Sequence, residues 1–287
     1  MSTFDPEQYK EGQRQGWNNV AGGWQKWWKT TEIAGETISK RMIELADIKQ
    51  SFRVLDVATG LGEPAVTAAQ QVGNNGRVLA IDLSTQMLSV AKERAISLGL
   101  QNVIEFQEGD LETIDLPVLT FDAALCRFGL MFFPNLKVGL SNIYKSLVDG
   151  GRFSAAVWAS PDKVPFISVP LDTLLKEMKN PVFPTNTPGP FSLSDENLLK
   201  NSFINAGFED IIIERQDMIF NFDSAEAFTN FVYETASPVQ VFLSNQSQER
   251  KKEILGAITE VVGRYTDKGS GSVNFKNEAI CIVGEKQ

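Results

Sequence analysis

Short apolar segments that are typical of buried strands alternate with helical segments between residues 53 and 158 of this chain. The strand-like segments are Arg53–Ala58, Arg77–Ile81, Val103–Glu108, Phe121–Cys126 and Arg152–Trp158, and the helical ones are Pro64–Val72, Thr85–Leu98 and Leu136–Leu147. Strands that alternate with helices at this short spacing pair in parallel, because each helical crossover returns the chain to the end of the sheet where the previous strand began. The pattern predicts an α/β fold with helices on both faces of a mostly parallel sheet.

The remaining segments are expected to complete the same single domain. The sequence predicts a helical cap over residues 1–50 and the core of the domain over residues 51–160. It predicts the completion of the core over residues 161–223, a helical lid insertion over residues 224–270 and the last strand over residues 271–287. The expected elements are an amphipathic helix over Thr31–Ala46, a helix over Val169–Met178 among proline-rich loops, a helix from a Ser194 cap to Ala206, a strand over Glu209–Phe222, lid helices with a break at Pro238, and a strand over Val273–Val283. The sheet is therefore expected to have seven strands.

Composition excludes several classes of protein. A net charge of −9 argues against nucleic acid as a partner, because nucleic-acid binders carry basic surfaces. The chain has no histidine, which excludes a Ser-His-Asp hydrolase and a histidine-ligated zinc enzyme, and we expect no metal site. Cys126 and Cys281 lie in apolar strand-like segments, which predicts buried thiols. Neither a signal region nor an apolar run of membrane-spanning length occurs, so we expect a cytoplasmic protein without a membrane span.

A glycine turn joins the first predicted strand to the first predicted helix, in the sequence VLDVATGLGEPA over residues 54–65. Gly60 and Gly62 permit a tight turn and let a ligand approach the backbone beside the free N–H groups of the helix. Gly60-x-Gly62-x-x-Ala65, followed by Asp82, also fits the fingerprint of a nicotinamide dinucleotide site.

Two acidic residues separate these interpretations. Asp56 lies inside the first strand, where a dinucleotide site needs no carboxylate, and Glu63 adds negative charge at the start of the helix. Such a pocket suits a ligand with an ammonium and a sulfonium better than a ligand with two phosphates. The residues therefore favour a cationic ligand over a dinucleotide.

Five segments in order resemble the motifs of class I S-adenosylmethionine-dependent methyltransferases. VLDVATGLGEPA resembles the first motif, usually VLDxGxGxG, and AIDLSTQML, EGDLETIDLP, FDAALCRFGLMFFPNL and LVDGGRF resemble the motifs that follow it. Quinone-biosynthesis C-methyltransferases, the UbiE-like group, are the most similar type. Ala58 stands where the family commonly has glycine, and Asp149 where it commonly has proline. The resemblance implies a Rossmann-like fold, S-adenosyl-L-methionine as the cofactor, and methyl transfer.

The resemblance also implies roles for the matching residues. Asp56 and the backbone of Gly60–Gly62 would hold the methionine part of the cofactor, Asp82 both ribose hydroxyls, and Asp110 the adenine amino group. The complete set that it implies for the cofactor is Asp56, Ala58, Thr59, Gly60, Gly62, Asp82, Leu83, Met87, Gly109, Asp110, Leu111, Cys126 and Arg127.

The acceptor side is less determined. No catalytic residue is assigned, and the candidates are Arg127, Tyr9 and Trp28; Arg127 either pairs with an anionic group of the substrate or forms a structural salt bridge. The candidates for substrate binding are Trp24, Trp27, Trp28, Phe128, Met131 and Phe132, although each tryptophan is at least as well explained by packing. The expected reaction is methylation of a carbon or oxygen of a small apolar or aromatic metabolite. The alternatives are a peptide, protein or N-methyltransferase, and a non-catalytic cofactor-binding module.

Overall fold

The computed structural model describes residues 4–178 and 187–287, and these residues form a seven-stranded sheet. The strands are β1 (Arg53–Val57), β2 (Arg77–Asp82), β3 (Ile104–Glu108), β4 (Phe121–Arg127), β5 (Leu147–Trp158), β6 (Glu209–Phe222) and β7 (Val273–Glu285). Their order is β3-β2-β1-β4-β5-β7-β6; β7 runs antiparallel to both neighbours, and the other pairs are parallel. The predicted seven-stranded, mostly parallel Rossmann-like sheet is confirmed.

Helices of the described residues cover the sheet and one end of it. They are α1 (Pro6–Lys26), α2 (Trp28–Leu45), α3 (Ala65–Val72), α4 (Thr85–Ser97), α5 (Leu136–Ser146), α6 (Pro165–Glu177), α7 (Glu196–Ala206), α8 (Ala225–Thr235), α9 (Ser237–Ser244) and α10 (Gln248–Val262). Short 3-10 helices lie at Leu130–Phe132, Pro161–Lys163 and Gly263–Tyr265. Helix α2 packs on β5, β6 and β7, whereas α1 packs on α4, α8 and α9 and so links the core to the inserted helices.

Helix starts follow local capping chemistry. Ser84 caps α4 as predicted, because its Oγ accepts a hydrogen bond from the Met87 N–H at 3.1 Å. The prediction that Ser194 caps α7 is wrong: Asp195 accepts from the N–H groups of Asn197 and Leu198, and the Ser194 hydroxyl donates to a backbone carbonyl. Adjacent Ser and Asp are both good caps, so the sequence alone could not separate them.

Three other boundaries differ from the predicted ones. Helix α6 begins at Pro165, well before Val169, since proline is favoured in the first turn of a helix. Strand β5 begins at Leu147 because Gly150, at φ 76°, makes an irregularity inside the strand instead of a turn before it. In the lid, the break falls at Ala236, and Pro238 lies in the first turn of α9. The loop prolines Pro181 and Pro184 lie outside the described residues.

The core consists of apolar side chains on both sheet faces, as expected for parallel strands covered by helices. Cys126 on β4 and Cys281 on β7 are free thiols without solvent exposure, so the predicted buried thiols are confirmed. A second apolar layer, here called the aromatic cluster, joins the end of α1 and the helices α6 and α8 to strands β6 and β7. It consists of Trp27, Phe166, Phe220, Phe222, Phe228, Phe231 and Phe275. No helix in the described part of the chain is both long and apolar enough to cross a membrane.

Candidate functional site

A cleft of about 1350 Å³, its open mouth included, lies at the carboxyl ends of β1, β2 and β4. Residues of α1 and α2 form its opposite wall. The strand order reverses between β1 and β4, and ligands of open α/β sheets bind at such a reversal. The topology therefore selects this cleft as the candidate site.

The glycine turn after β1 forms one side of the cleft. Gly60 has φ 55°, and a Cβ built on it would meet no atom within 4 Å, so its backbone faces open space. The Thr59 N–H donates to the Ile81 carbonyl at 3.1 Å, which fastens the turn to the end of β2. Ala58 adopts φ 56°, a left-handed conformation that glycine adopts more easily, which explains why relatives commonly have glycine there.

Asp56 is fully buried behind this turn and does not line the cleft. Its Oδ2 accepts from the Thr59 hydroxyl at 2.6 Å and from the Ala65 N–H at 3.0 Å, so one carboxylate oxygen connects the turn to the start of α3. Its Oδ1 has no hydrogen-bond partner among the described residues. Burial raises the pKa of Asp56 to about 7.

Asp82 ends β2 and reaches the cleft surface. Its two oxygens accept from the N–H groups of Gly60 and Ser84, each at 2.8 Å. Each oxygen of an ionised carboxylate accepts two hydrogen bonds, so both remain able to accept from a ligand. Burial raises the pKa of this carboxyl. Leu83 and Met87, which follow in sequence, also line the cleft.

The other end of the cleft holds Asp110, together with Gly109 and Leu111. Asp110 accepts from Lys10 Nζ at 2.9 Å through Oδ2, and from the Glu112 N–H at 2.9 Å through Oδ1. Sequence reasoning missed Lys10, because nothing in α1 indicates that one of its lysines crosses the cleft. This ion pair holds α1 over the carboxyl end of β3.

Arg94 on α4 organises the acidic residues near the glycine turn. Its Nη2 donates to Glu63 Oε1 at 3.0 Å and also to Glu32, and its guanidinium lies 5.0 Å from the centroid of the Trp28 ring. Its Nη1 donates to the Leu61 carbonyl at 3.3 Å. No sequence pattern indicates Arg94 or Glu32, since Arg94 lies about 30 positions from Glu63 and about 60 from Glu32 in the chain.

Arg127 enters the cleft from the end of β4. Its Nη1 donates to the Ser39 hydroxyl at 2.7 Å and to the Gly35 carbonyl at 3.3 Å, both on α2. No carboxylate of the described ranges lies within ion-pair distance of this guanidinium. Burial lowers its pKa. A structural salt bridge, one of the two roles considered for Arg127, is therefore not formed.

Aromatic side chains wall the rest of the cleft. They are Trp17, Trp24, Trp28, Phe128, Phe132 and Phe133. Trp17 packs edge-on against Phe132 with 5.8 Å between ring centroids, and Phe128 stacks on Trp158 at 4.1 Å. The Trp24 indole N–H donates to the Thr235 carbonyl at 3.0 Å, which ties this wall to α8.

The structure brings most of the candidate residues to the cleft and leaves six outside its lining. Those that line it are Ala58, Thr59, Gly60, Asp82, Leu83, Met87, Gly109, Asp110, Leu111, Arg127, Trp24, Trp28, Phe128 and Phe132. Those outside it are Asp56, Gly62, Cys126, Tyr9, Trp27 and Met131.

The acceptor-side candidates outside the lining have structural contacts instead. The Tyr9 hydroxyl donates to the Pro188 carbonyl at 3.2 Å. The Trp27 ring belongs to the aromatic cluster, and its indole N–H donates to the Glu234 carboxylate. Met131 is buried, and its carbonyl accepts from the Ser192 hydroxyl at 2.7 Å. Their expected contact with a substrate has no geometric support here.

Residues 54–151 match the family described as Methyltransferase domain. The matched segment runs from β1 into β5 and contains the glycine turn, Asp82 and Asp110. The curated relatives are of the UbiE-like group: the ubiquinone/menaquinone biosynthesis C-methyltransferase UbiE of Rhodopseudomonas palustris is 31% identical over 143 residues, or 50% of this chain and 54% of that protein. The chain spans about half the length of the curated relatives it matches.

Solved structures share the same fold. The YcgJ protein of Bacillus subtilis superposes with a TM-score of 0.55 at 18% identity, over 87% of this chain and 97% of that chain. Phosphoethanolamine N-methyltransferase 2 of Haemonchus contortus, crystallised with S-adenosyl-L-methionine, superposes with a TM-score of 0.53 at 18% identity, over 85% of this chain and 51% of that chain. At such identities the likeness shows the fold.

Proposed function

We propose that this protein transfers the methyl group of S-adenosyl-L-methionine to a carbon or oxygen atom of a small apolar or aromatic metabolite. The observation that carries the proposal is an acidic, glycine-lined cleft at the carboxyl ends of the strands that continues into an aromatic wall. The acidic part suits a cationic cofactor, and the aromatic part suits a planar, uncharged ring.

The residues present fit the cofactor. Among the described residues, the buried Oδ1 of Asp56 has no partner behind the glycine turn, and the Gly60 backbone has open space beside it, which supports the methionine part there. Asp82 would accept from the ribose hydroxyls through its unused lone pairs. Asp110 would accept from the adenine amino group beside the apolar side chain of Leu111. When bound, this cofactor supplies an electrophilic methyl group on a sulfonium centre.

A dinucleotide fits the same cleft poorly. Its pyrophosphate would need the free N–H groups at the start of α3. The Ala65 N–H already donates to Asp56, and the Glu63 carboxylate, which accepts from the Thr67 hydroxyl of α3, lines the cleft beside this helix. Two phosphates would therefore meet a carboxylate and an occupied donor.

The chain's own contribution to the reaction would be orientation and exclusion of water. The aromatic wall and α1 lie over the ends of the strands and would place an acceptor ring next to the glycine turn. In-line displacement at a methyl group needs no nucleophilic side chain, so the absence of histidine is no obstacle.

Mass spectrometry tests the proposal directly. The protein is incubated with cofactor that carries a trideuteriomethyl group and with separate pools of phenols, quinols, amines and peptides. We expect a labelled product from the phenol or quinol pool, and none with Asp82→Ala. A labelled product only from the peptide or amine pool would favour those acceptors, and cofactor binding without any labelled product would favour a non-catalytic module.

A further inference from the structure

In the part of the chain that the structure describes, three cationic side chains line the cleft, and their partners differ. Lys10 pairs with Asp110, and Arg94 pairs with Glu32 and Glu63. Over residues 4–178 and 187–287, Arg127 makes hydrogen bonds only through Nη1, and only to the neutral partners Ser39 and Gly35. Its remaining donors carry positive charge into the cleft without a counter-charge.

The position of this guanidinium is fixed by α2. Gly35 and Ser39 lie one helical turn apart and present a carbonyl and a hydroxyl to the same nitrogen. A Cβ built on Gly35 would lie 2.7 Å from Arg127 Nη1, so the missing side chain at this position permits the approach. Because only Nη1 is engaged, the Nε–Nη2 edge of the fork remains available to a ligand.

The carboxylates around Arg127 make no direct contact with its guanidinium. Glu32 on α2, Glu63 before α3 and Asp56 on β1 act on it electrostatically from a distance, and Arg94 on α4 opposes them. The carboxylates of Glu32 and Glu63 are held by Arg94, and Asp56 is directed to the glycine turn. A half-buried cation that lacks an anionic contact partner is costly, and it is compensated when a bound ligand supplies an anion.

We propose that Arg127 binds the acidic hydroxyl oxygen of the acceptor and favours its deprotonated form, so that the acceptor is a phenol or an enol that reacts as its oxyanion. This inference rests on the proposed function. The acceptor O–H gives its proton to water, and an electron pair of the oxyanion forms the new bond to the methyl carbon. Where a carbon of the conjugated system attacks instead, its π electrons form the bond, and that carbon then loses its proton to water, which restores the aromatic ring or the enol. The electrons of the breaking sulfur–methyl bond stay on sulfur, which leaves neutral S-adenosylhomocysteine.

This role fits the rest of the cleft. The chain has no histidine to serve as a general base near neutral pH, and a guanidinium that lowers the pKa of the acceptor makes a strong base unnecessary. The aromatic wall next to Arg127, with Phe128 as its immediate neighbour, accommodates the ring that carries the hydroxyl.

A coloured phenol tests the inference without the natural substrate. 4-Nitrophenol is titrated with the protein saturated with S-adenosylhomocysteine, and the phenolate absorbance gives its apparent pKa when bound. We expect this pKa to fall by about one unit, a roughly tenfold preference for the phenolate. The shift should disappear in Arg127→Met and be partly retained in Arg127→Lys, which keeps the charge but loses the fork.

Matched controls separate this effect from loss of structure. Arg41→Gln removes a charge from the same helix that holds Arg127, but at a site paired with Glu214, and should behave as the wild type. Ser39→Ala keeps the cation and should keep most of the shift, so Ser39→Ala and Arg127→Lys carry the test if Arg127→Met does not fold.

Three results would overturn the inference: no shift in the wild type, an equal shift in Arg127→Met, or Arg127-dependent binding of benzoate without any shift for 4-nitrophenol. The last of these would indicate a carboxylate-bearing ligand. Calorimetry with S-adenosylhomocysteine distinguishes a failure of the proposed function from a failure of the role of Arg127. If S-adenosylhomocysteine does not bind, the proposed function fails; if it binds and the phenol is unaffected, only the role of Arg127 fails.

Discussion

The part of the cleft proposed for the cofactor and the part proposed for the acceptor, here called the cofactor side and the acceptor side, are built from contacts of very different sequence range. On the cofactor side, Asp56 bonds to residues three and nine positions away, and Asp82 to residues two and 22 positions away. On the acceptor side, Trp24 bonds across 211 positions and Arg127 across 88. Local contacts produce a motif that can be recognised in the sequence, whereas distant contacts leave no such pattern.

The largest effect is expected from a substitution in the aromatic cluster, which should lower the free energy of unfolding and leave cofactor binding nearly unchanged. Phe231 is buried in the aromatic cluster, with its ring centroid 5.2 Å from that of Phe222 and 5.7 Å from that of Trp27. We expect Phe231→Ala to lower the free energy of unfolding by about 3–5 kcal/mol, because it leaves a cavity. Urea unfolding measures this, with Phe231→Leu as the milder control.

The same variant tests whether the cofactor side and the acceptor side are energetically independent. Its folded fraction should bind S-adenosylmethionine with a dissociation constant within about threefold of the wild type, a difference below 1 kcal/mol. A large loss of cofactor affinity would show that the two sides are one energetic unit.

Asp56 should give the cofactor side a characteristic pH dependence. Its pKa is raised to about 7 by burial, so the folded protein binds this proton more tightly than the unfolded chain does. Its contribution to stability is therefore largest at low pH and falls by up to about 4 kcal/mol as the pH rises from about 4 to about 7. In Asp56→Asn that part of the dependence should be absent.

Urea unfolding of both proteins at pH 5 and pH 8 provides the measurement. The difference between wild type and variant cancels the titration of other groups. Identical pH dependence in the two proteins would contradict the raised pKa of Asp56.

Asp82 should matter for the ligand more than for the fold. Asp82→Ala removes both acceptor oxygens proposed for the ribose hydroxyls, and we expect cofactor affinity to fall about 100-fold in calorimetry. Asp82→Asn keeps one acceptor and should lose less. Unchanged affinity in Asp82→Ala would remove this residue from the cofactor site.

The smallest expected effect concerns the helix that closes the cleft. Lys10 is largely buried and pairs with Asp110 across the cleft, whereas Arg14 on the same helix pairs with Glu108 at the surface. We expect Lys10→Met to release the cofactor about fivefold faster and Arg14→Gln to have less effect, since exposed pairs contribute little. Stopped-flow tryptophan fluorescence detects the release, because Trp17 lines the cleft. Equal rates in all three proteins would show that α1 does not retain the ligand.

The sequence was sufficient for the sheet and for most of the cofactor side. Strand periodicity and the glycine turn are short-range signals, and they predicted the seven strands and the placement of Asp82 and Asp110 at strand ends. The errors at Asp195 and Ala236 arose where neighbouring residues had similar local preferences. The error at Leu147 arose because Gly150 makes an irregularity inside the strand instead of a turn before it.

The residues that α1 and α2 contribute to the cleft could not be predicted in the same way. Lys10 and Glu32 lie on amphipathic helices among other charged residues, and no local pattern indicates which charges face inward. The tryptophans show the same limit: Trp24 and Trp28 line the cleft, while Trp27 between them belongs to the aromatic cluster. The helix break at Trp27 separates α1 from α2, so helical spacing could not be carried across it.

The central claim is that an acidic cleft with an occupied helix start receives a cationic sulfur compound. Titration calorimetry of the unmodified protein with S-adenosylmethionine, and separately with a nicotinamide dinucleotide, tests it most directly. The account predicts one molecule of S-adenosylmethionine bound per chain and no heat from the dinucleotide. Binding of the dinucleotide without binding of S-adenosylmethionine would contradict it.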